Sequence, residues 1–252
     1  MWKASPEYMT VPDFSKVRAL LTTSVAPSDG ALDLPETRPL SNQLRENSCA
    51  ANATCDAFEL VMSEPVDLAR NFVYWNARRT RREEMLDQGT DLYACFHSAT
   101  DIGVCEESLW PYDIGKVLDR PRIEAYERAY DNRLGTFYSL RPYGQTVLES
   151  INDALRTGYP VAFGLAVNSN DFRDYKGGDA VIESPSNTNG GHAMVLVGYR
   201  TMPDGSLAYK FRNSWGPGWG NGGYGWISPM YLSSILYGAE FYVPVALLLS
   251  AP

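Results

Sequence analysis

The chain has 252 residues, 44% of them hydrophobic and 21% charged, with a formal net charge of −8. That length supports a sizeable core in one or two compact units, and the acidic balance argues against a nucleic-acid binder, which carries basic excess. No stretch approaches the roughly 18 consecutive apolar residues of a membrane span.

Residues 1–40 are rich in Pro, Ser, Thr and Asp and read as an irregular lead-in, with one short helix expected near 13–21. The opening MWKASPEYMTVPDFSK lacks an apolar core after a basic start, so it does not read as a secretory signal; a cytoplasmic location or a non-classical route of delivery is expected. Ser48 reads as the N-cap of a helix through AANATCDAFELVMS that stops before Glu64-Pro65. Ala50, Ala53, Ala57, Phe58 and Val61 give it an apolar stripe at helical spacing. Further helices are expected over 66–79, 91–100 and 120–131. The basic run Arg78, Arg79, Arg81 and Arg82 is followed at once by Glu83 and Glu84, and reads as a solvated helix face.

Near residue 135 the pattern changes. FYSL (137–140), YPVAFGLAV (159–167), HAMVLVGY (192–199), LAYKFRNS (207–214) and YGWIS (224–228) are β-rich runs separated by Gly, Pro, Asn and Asp. A helix over 144–157 interrupts them, with Leu148, Ile151 and Leu155 on one face. The late apolar run VPVALLLSAP (243–252) is too short to cross a membrane. A helical half followed by a sheet half points to an α+β fold with two lobes, and a cleft between lobes is a common place for a site.

The candidate chemistry gathers in three segments. NQLRENSCAAN (42–52) places Gln43 six residues before Cys49. GGHAMVLVGY (190–199) supplies His192, one of only two histidines, and FRNSWGPGWGNGGYGW (211–226) supplies Asn213. A thiol, an imidazole, an amide to orient the imidazole and an amide to meet an oxyanion are what thiol-based acyl transfer needs. A cysteine at a helix start is a thiolate candidate, because unpaired N–H groups and the helix dipole favour the anion. Taken singly, Cys49 would read as a buried apolar thiol, His192 as a satisfied core histidine and Gln43 as a loop glutamine; their joint presence favours the site. The four cysteines, at 49, 55, 95 and 105, are too few for a disulfide scaffold, and reduced thiols are expected, with a Cys95–Cys105 pair as the alternative. A metal at Cys95, His97 and Cys105 lacks a fourth ligand. No metal or organic cofactor is expected.

These segments resemble the papain-like cysteine peptidases. The similarity runs over roughly residues 33–245. It also takes in GTDLYACFHSATDIGVCEESLWPY (89–112) and YPVAFGLAVNSNDFRDYKGG (159–178), with GGHAMVLVGY and NSWGPGWGNGGYGWI as the most specific matches. With no cysteine three residues before the thiol, the chain resembles bacterial or phage-type members most.

The resemblance implies a papain-like two-lobe fold: a helical lobe over about 42–134, an antiparallel, β-barrel-like lobe over about 135–245, and an active-site cleft between them. Residues 1–32 would be a lead-in or short pro-like segment and 246–252 a tail. It implies a peptidase in which Cys49 is the nucleophile, His192 the acid and base, Asn213 the orienter of His192, and Gln43 an oxyanion donor. Trp215 would shield the His192–Asn213 bond. Gly89 and Thr90 would meet an extended substrate by strand addition. Gly164, Gly191 and Ala193 would line the substrate cleft, with small walls that take a bulky apolar side chain.

Three positions depart from the family pattern. Ala50 stands where many relatives carry Trp, Glu46 where many carry a disulfide cysteine, and only 48 residues precede Cys49, too few for the usual inhibitory prodomain; residues 1–30 acting as a short plug is one reading. Expected partners are a peptide or protein substrate and proteinaceous or thiol-reactive inhibitors, acting on a monomer with no nucleic acid. Two other functions remain open: a papain-fold binding or structural module without catalysis, and a transpeptidase using the same Cys/His chemistry.

Overall fold

A computed structural model describes residues 1–5, 7–18, 30–35, 38–140, 145–234 and 238–245. In chain order the elements are β1 (Trp2–Lys3), α1 (Ser15–Arg18), β2 (Leu32–Asp33), α2 (Cys49–Val61), α3 (Arg70–Thr80), β3 (Thr90–Asp91), α4 (Leu92–Asp101) and α5 (Ile123–Asp131). There follow β4 (Thr136–Ser139), α6 (Gln145–Arg156), β5 (Val161–Val167), α7 (Ser169–Arg173), β6 (Val181–Ile182), β7 (Gly190–Thr201), β8 (Leu207–Arg212), β9 (Tyr224–Ile227), α8 (Pro229–Ser233) and β10 (Glu240–Val245).

The helical half precedes the sheet half, and the whole is a two-lobe α+β fold. The main sheet runs β4-β10-β5-β7-β8-β9-β6, with β2 added along β7. Its pairings are antiparallel except β6 with β9, which is parallel. A separate two-stranded sheet joins β1 to β3 in parallel.

The central strands are buried on both faces, which explains their near-continuous apolar runs. Successive side chains alternate between two cores. Ala162, Ala193, Val195 and Val197 join the core of α2, α3 and α4. Phe163, Leu165, Met194 and Leu196 join the other, with Val147, Ile151 and Leu155 of α6. The first seam is small on both sides, because α2 brings Ala50, Ala53 and Ala57 to it. Small side chains let the helix lie close on the strands, and that fixes where its first residue, Cys49, falls.

A buried ion network ties the lobes. Asp56 of α2 accepts from Arg212 Nε of β8 at 3.0 Å and from Arg70 Nη2 of α3 at 2.9 Å. Arg70 also reaches Glu59 at 3.1 Å. Arg212 also donates to the carbonyls of Arg38 and Pro39 and to Tyr224 Oη.

Several local expectations are corrected. Ser48 stands at the N-cap of α2, but its hydroxyl makes no cap bond; it meets Tyr112 Oη at 2.8 Å and Asn52 instead. The helix expected from 66 begins at Arg70, because Leu68 is drawn into a bridge with Glu106. The basic run is a solvated face only in part: Arg79 and Arg82 are exposed, but Arg78 and Arg81 are not. Arg78 is fully buried, and its guanidinium donates to the carbonyls of Tyr74, Leu86 and Val117, so backbone carbonyls rather than carboxylates satisfy it. Arg81 turns to Glu7 and Asp91. The helix expected at 13–21 spans Ser15–Arg18; residues 19–21, like the tail 246–252, lie outside the described residues. All four cysteines are free and buried.

Removing one member of a buried ion network leaves its partners charged and unpaired, which costs about 3–5 kcal/mol. Asp56→Ala takes the carboxylate from buried Arg212 and leaves Arg70 with Glu59 and Asp67, and it is expected to lower the unfolding free energy by that amount, measured by urea denaturation. A loss under about 1 kcal/mol, the size of an exposed pair, would contradict the network's role.

Candidate active site

Cys49 is the first residue of α2 and His192 lies near the start of β7. The fold brings them together: the Cys49 thiol and the His192 ring are in hydrogen-bonding reach, and both line one cavity of about 210 Å³ with Gln43, Phe172 and Trp215. His192 Nε2 lies 2.9 Å from Asn213 Oδ1. That oxygen also accepts from the Ser214 N–H at 2.8 Å, so the amide presents its acceptor and the ring nitrogen carries the proton. Nδ1 is then the nitrogen left for the sulfur.

Two aromatic rings hold the imidazole. Trp215 stacks on it with centroids 5.0 Å apart at 27°, and Phe172 meets it edge-on at 5.8 Å. His192 and Asn213 are both buried, so the hydrogen bond between them lies away from water, which strengthens it.

The Cys49 sulfur sits among opposing influences. Burial pushes the thiol up. The Met1 ammonium, the hydrogen bond and charge of His192, and the Ala193 backbone N–H pull it down, to about 6. For the other three thiols burial outweighs the groups that pull them down, and each is pushed up.

Gln43 is buried beside this pair. Its Nε2 donates to the Glu46 carbonyl at 2.8 Å, and its Oε1 accepts from Ser214 Oγ at 2.5 Å. An amide nitrogen carries two hydrogens, so one remains to point into the cavity. Ser214 O also receives the Gln43 backbone N–H at 2.8 Å, and Tyr112 Oη donates to the Gln43 carbonyl at 3.1 Å. The residue that follows Asn213 therefore holds Gln43, so the two amides share one support.

The remaining predicted positions lie together, and the chain itself covers them. Thr90 N–H donates to Met1 O at 3.0 Å. Gly89 has φ +82°, and a methyl group there would meet Met1 O at 1.6 Å. Gly164 and Ala193 are register partners across β5 and β7. The Trp2 ring lies on Gly164, and Trp2 packs on Gly191.

Four supporting residues escaped sequence reasoning. Tyr112, Ser214 and Phe172 lay inside recognised segments, but only spatial contact assigns them a task. Trp2 had no signal beyond being an aromatic residue in a polar lead-in.

Residues 29–230 match the family model for papain family cysteine proteases. The chain belongs to this family. Its similarity to a peptidase C1-like protein of Acanthamoeba polyphaga mimivirus is 27% identity over 243 residues, covering 88% of this chain and 77% of that one. Cathepsin B-like CP2 of Giardia intestinalis is 37% identical over 127 residues, covering 50% of this chain and 41% of that one. Among solved structures, xylellain, a cysteine protease from Xylella fastidiosa, superposes with a TM-score of 0.73 at 24% identity, covering 94% of this chain and 95% of that one. Bromelain protease from Ananas comosus, in complex with the E64 inhibitor, gives 0.66 at 18% identity, covering 87% and 100%. These likenesses establish a papain-like fold.

At Glu46 a carboxyl is buried and burial pushes it up to about 7; the charge of Asp87 adds to this while Ser48, Arg78 and Tyr112 oppose it. A carboxyl with a raised folded-state value contributes stability that is full below its unfolded value, about 4.3, and is lost as pH rises through the folded one. Glu46→Gln removes that loss. The stability of the variant relative to the wild type is expected to grow between about pH 4.5 and pH 8, measured as denaturation midpoints; a difference that does not change with pH would contradict the assignment.

Proposed function

We propose that this chain is a working cysteine peptidase that cleaves peptide bonds through a thioester on Cys49. The observation that carries the reading is the joint geometry of Cys49, His192 and Asn213: a thiol beside an imidazole whose far nitrogen is fixed by an amide.

The Cys49 proton passes to His192 Nδ1, giving a thiolate and an imidazolium. The sulfur attacks the substrate carbonyl carbon, forming a C–S bond and an oxyanion. The free N–H of Gln43 and the Cys49 backbone N–H at the start of α2 face that oxygen. As the oxyanion collapses, the C–N bond breaks and the imidazolium proton goes to the leaving amine. Water then attacks the thioester, His192 takes its proton, and the sulfur leaves as thiolate. Asn213 keeps the ring in place through both steps, with Trp215 excluding water. The substrate lies along Gly89 and Thr90 as an added strand, with one side chain in the pocket walled by Gly164, Gly191 and Ala193. The E64 inhibitor named with bromelain is expected to bind this cleft and block Cys49.

Cys49→Ala and His192→Ala are expected to abolish hydrolysis of a fluorogenic peptide while keeping the thermal midpoint. Asn213→Ala orients rather than reacts and is expected to lose less. Gln43→Ala is expected to lower kcat by about 10²–10³, the usual effect of one missing oxyanion donor. Undiminished turnover in Cys49→Ala would end the peptidase reading.

A further inference from the structure

Gln43, the proposed oxyanion donor, is tethered by one residue, Glu46. The Glu46 carbonyl accepts from Gln43 Nε2 at 2.8 Å, and the Glu46 N–H donates to the Gln43 carbonyl at 3.1 Å. The two residues close a turn, so a movement of Glu46 reaches the Gln43 amide directly. Ser214 and Tyr112 complete the hold on Gln43.

The side chain of Glu46 has no evident structural task. The residue is 3% exposed, and among the described residues neither of its carboxyl oxygens has a hydrogen-bond partner. Ser48, Tyr112, Asp87 and Arg78 of α3 face it. Asp87 is itself engaged, accepting from the Asn47 N–H at 3.1 Å and from Tyr74 Oη at 2.7 Å. Arg78 turns its guanidinium to backbone carbonyls. The Ser48 and Tyr112 hydroxyls are near enough to favour the charged form of Glu46, yet their hydrogens are committed elsewhere.

Those hydrogens run in one direction. Asn52 Nδ2 donates to Ser48 Oγ at 3.0 Å, and Tyr112 Oη donates to the Gln43 carbonyl at 3.1 Å. A phenol carries a single hydrogen, so at the 2.8 Å contact between Ser48 Oγ and Tyr112 Oη the serine is the donor. The chain of donors ends on Gln43. A neutral Glu46 leaves this order undisturbed. A carboxylate is the stronger acceptor, and one buried without partners is costly. On ionising it would draw on these hydroxyls, and the Tyr112 hydrogen would leave the Gln43 carbonyl.

We infer that Glu46 is a positioning residue for Gln43: its neutral carboxyl keeps the hydroxyl chain aimed at the Gln43 carbonyl, and its ionisation loosens the oxyanion donor. This rests on the peptidase reading of the same cleft. Burial pushes the carboxyl up to about 7, so the supporting form prevails below that pH and is lost as pH rises through it.

The test is the pH dependence of kcat for a fluorogenic peptide, well below every thermal midpoint, with Glu46→Gln compared with wild type. The ratio of variant to wild-type kcat is expected to be near one at about pH 5 and to rise about tenfold by about pH 8.5, part of the 10²–10³ that a whole oxyanion donor supplies. KM should change little, because the donor acts in the transition state. Taking the ratio cancels the titration of Cys49 and His192. With Gln43→Ala in both proteins the ratio should stay flat, since Glu46 then has no amide to position; a merely structural role would move it in both backgrounds. A flat ratio with Gln43 present, or a rise that persists without it, would overturn the inference. Nuclear magnetic resonance of Cys49→Ala separates this from the peptidase reading. The Gln43 side-chain amide signals, identified by their loss on Gln43→Ala, should titrate with the midpoint of the Glu46 carboxyl carbon. If they do and the wild type hydrolyses no peptide at any pH, the positioning stands and the peptidase reading falls. Amide signals that ignore the Glu46 titration refute the positioning, and this arm needs no folded Glu46→Gln.

Discussion

The meeting of the Cys49 sulfur with the His192 ring depends on a helix packed on a sheet through small side chains. Ala50, Ala53 and Ala57 on one side and Ala162 and Ala193 on the other make a seam with little between backbones. Large residues there would lift α2 away and carry its first residue out of reach of β7. The Asp56–Arg212 pair sits further along the same helix and fixes its rotation and slide against β8. The pair is fully buried, so its contribution lies less in net stability than in permitting one arrangement of the lobes, since any shift leaves a charge unpaired.

The polar support of the site is equally concentrated. Ser214 touches both amides: its N–H goes to Asn213 Oδ1 and its hydroxyl to Gln43 Oε1. Tyr112 reaches the Gln43 carbonyl and the Ser48 hydroxyl from the helical lobe. The groups proposed to orient the base and to meet the oxyanion are thus set by a few shared contacts, and a disturbance at one is felt at the other. Such coupling makes single-residue effects in this cluster non-additive.

How much of this was legible beforehand differs by kind of signal. The two-lobe order follows from the change of hydrophobic period near residue 135, and the doubly buried strands announced themselves as the continuous apolar runs at 159–167 and 192–199. The Cys49, His192, Asn213 and Gln43 set could be named because residue types and segment patterns carry chemistry. Short strands could not. β1, β3 and β6 have two residues each, and their pairing is decided by tertiary placement rather than by propensity. Arg78 was misread because a charge in a basic run looks solvated, while its partners are carbonyls from residues up to 39 positions away. The Ser48 hydroxyl was misassigned for the same reason, since Tyr112 competes for it across 64 residues. Trp2 carried no local cue at all: its significance lies in glycines at 164 and 191.

Those glycines give the cleft two meanings at once, a groove shaped for an incoming side chain and a seat for the chain's own indole. The first depends on the sulfur beneath being an anion held by its neighbours. The most direct measurement is the ultraviolet absorbance of the thiolate as a function of pH, taken as the difference between wild type and Cys49→Ala. The account predicts a transition near about 6 that moves upward in His192→Ala. A transition near the ordinary thiol value of about 8.5, unchanged by His192→Ala, would contradict it.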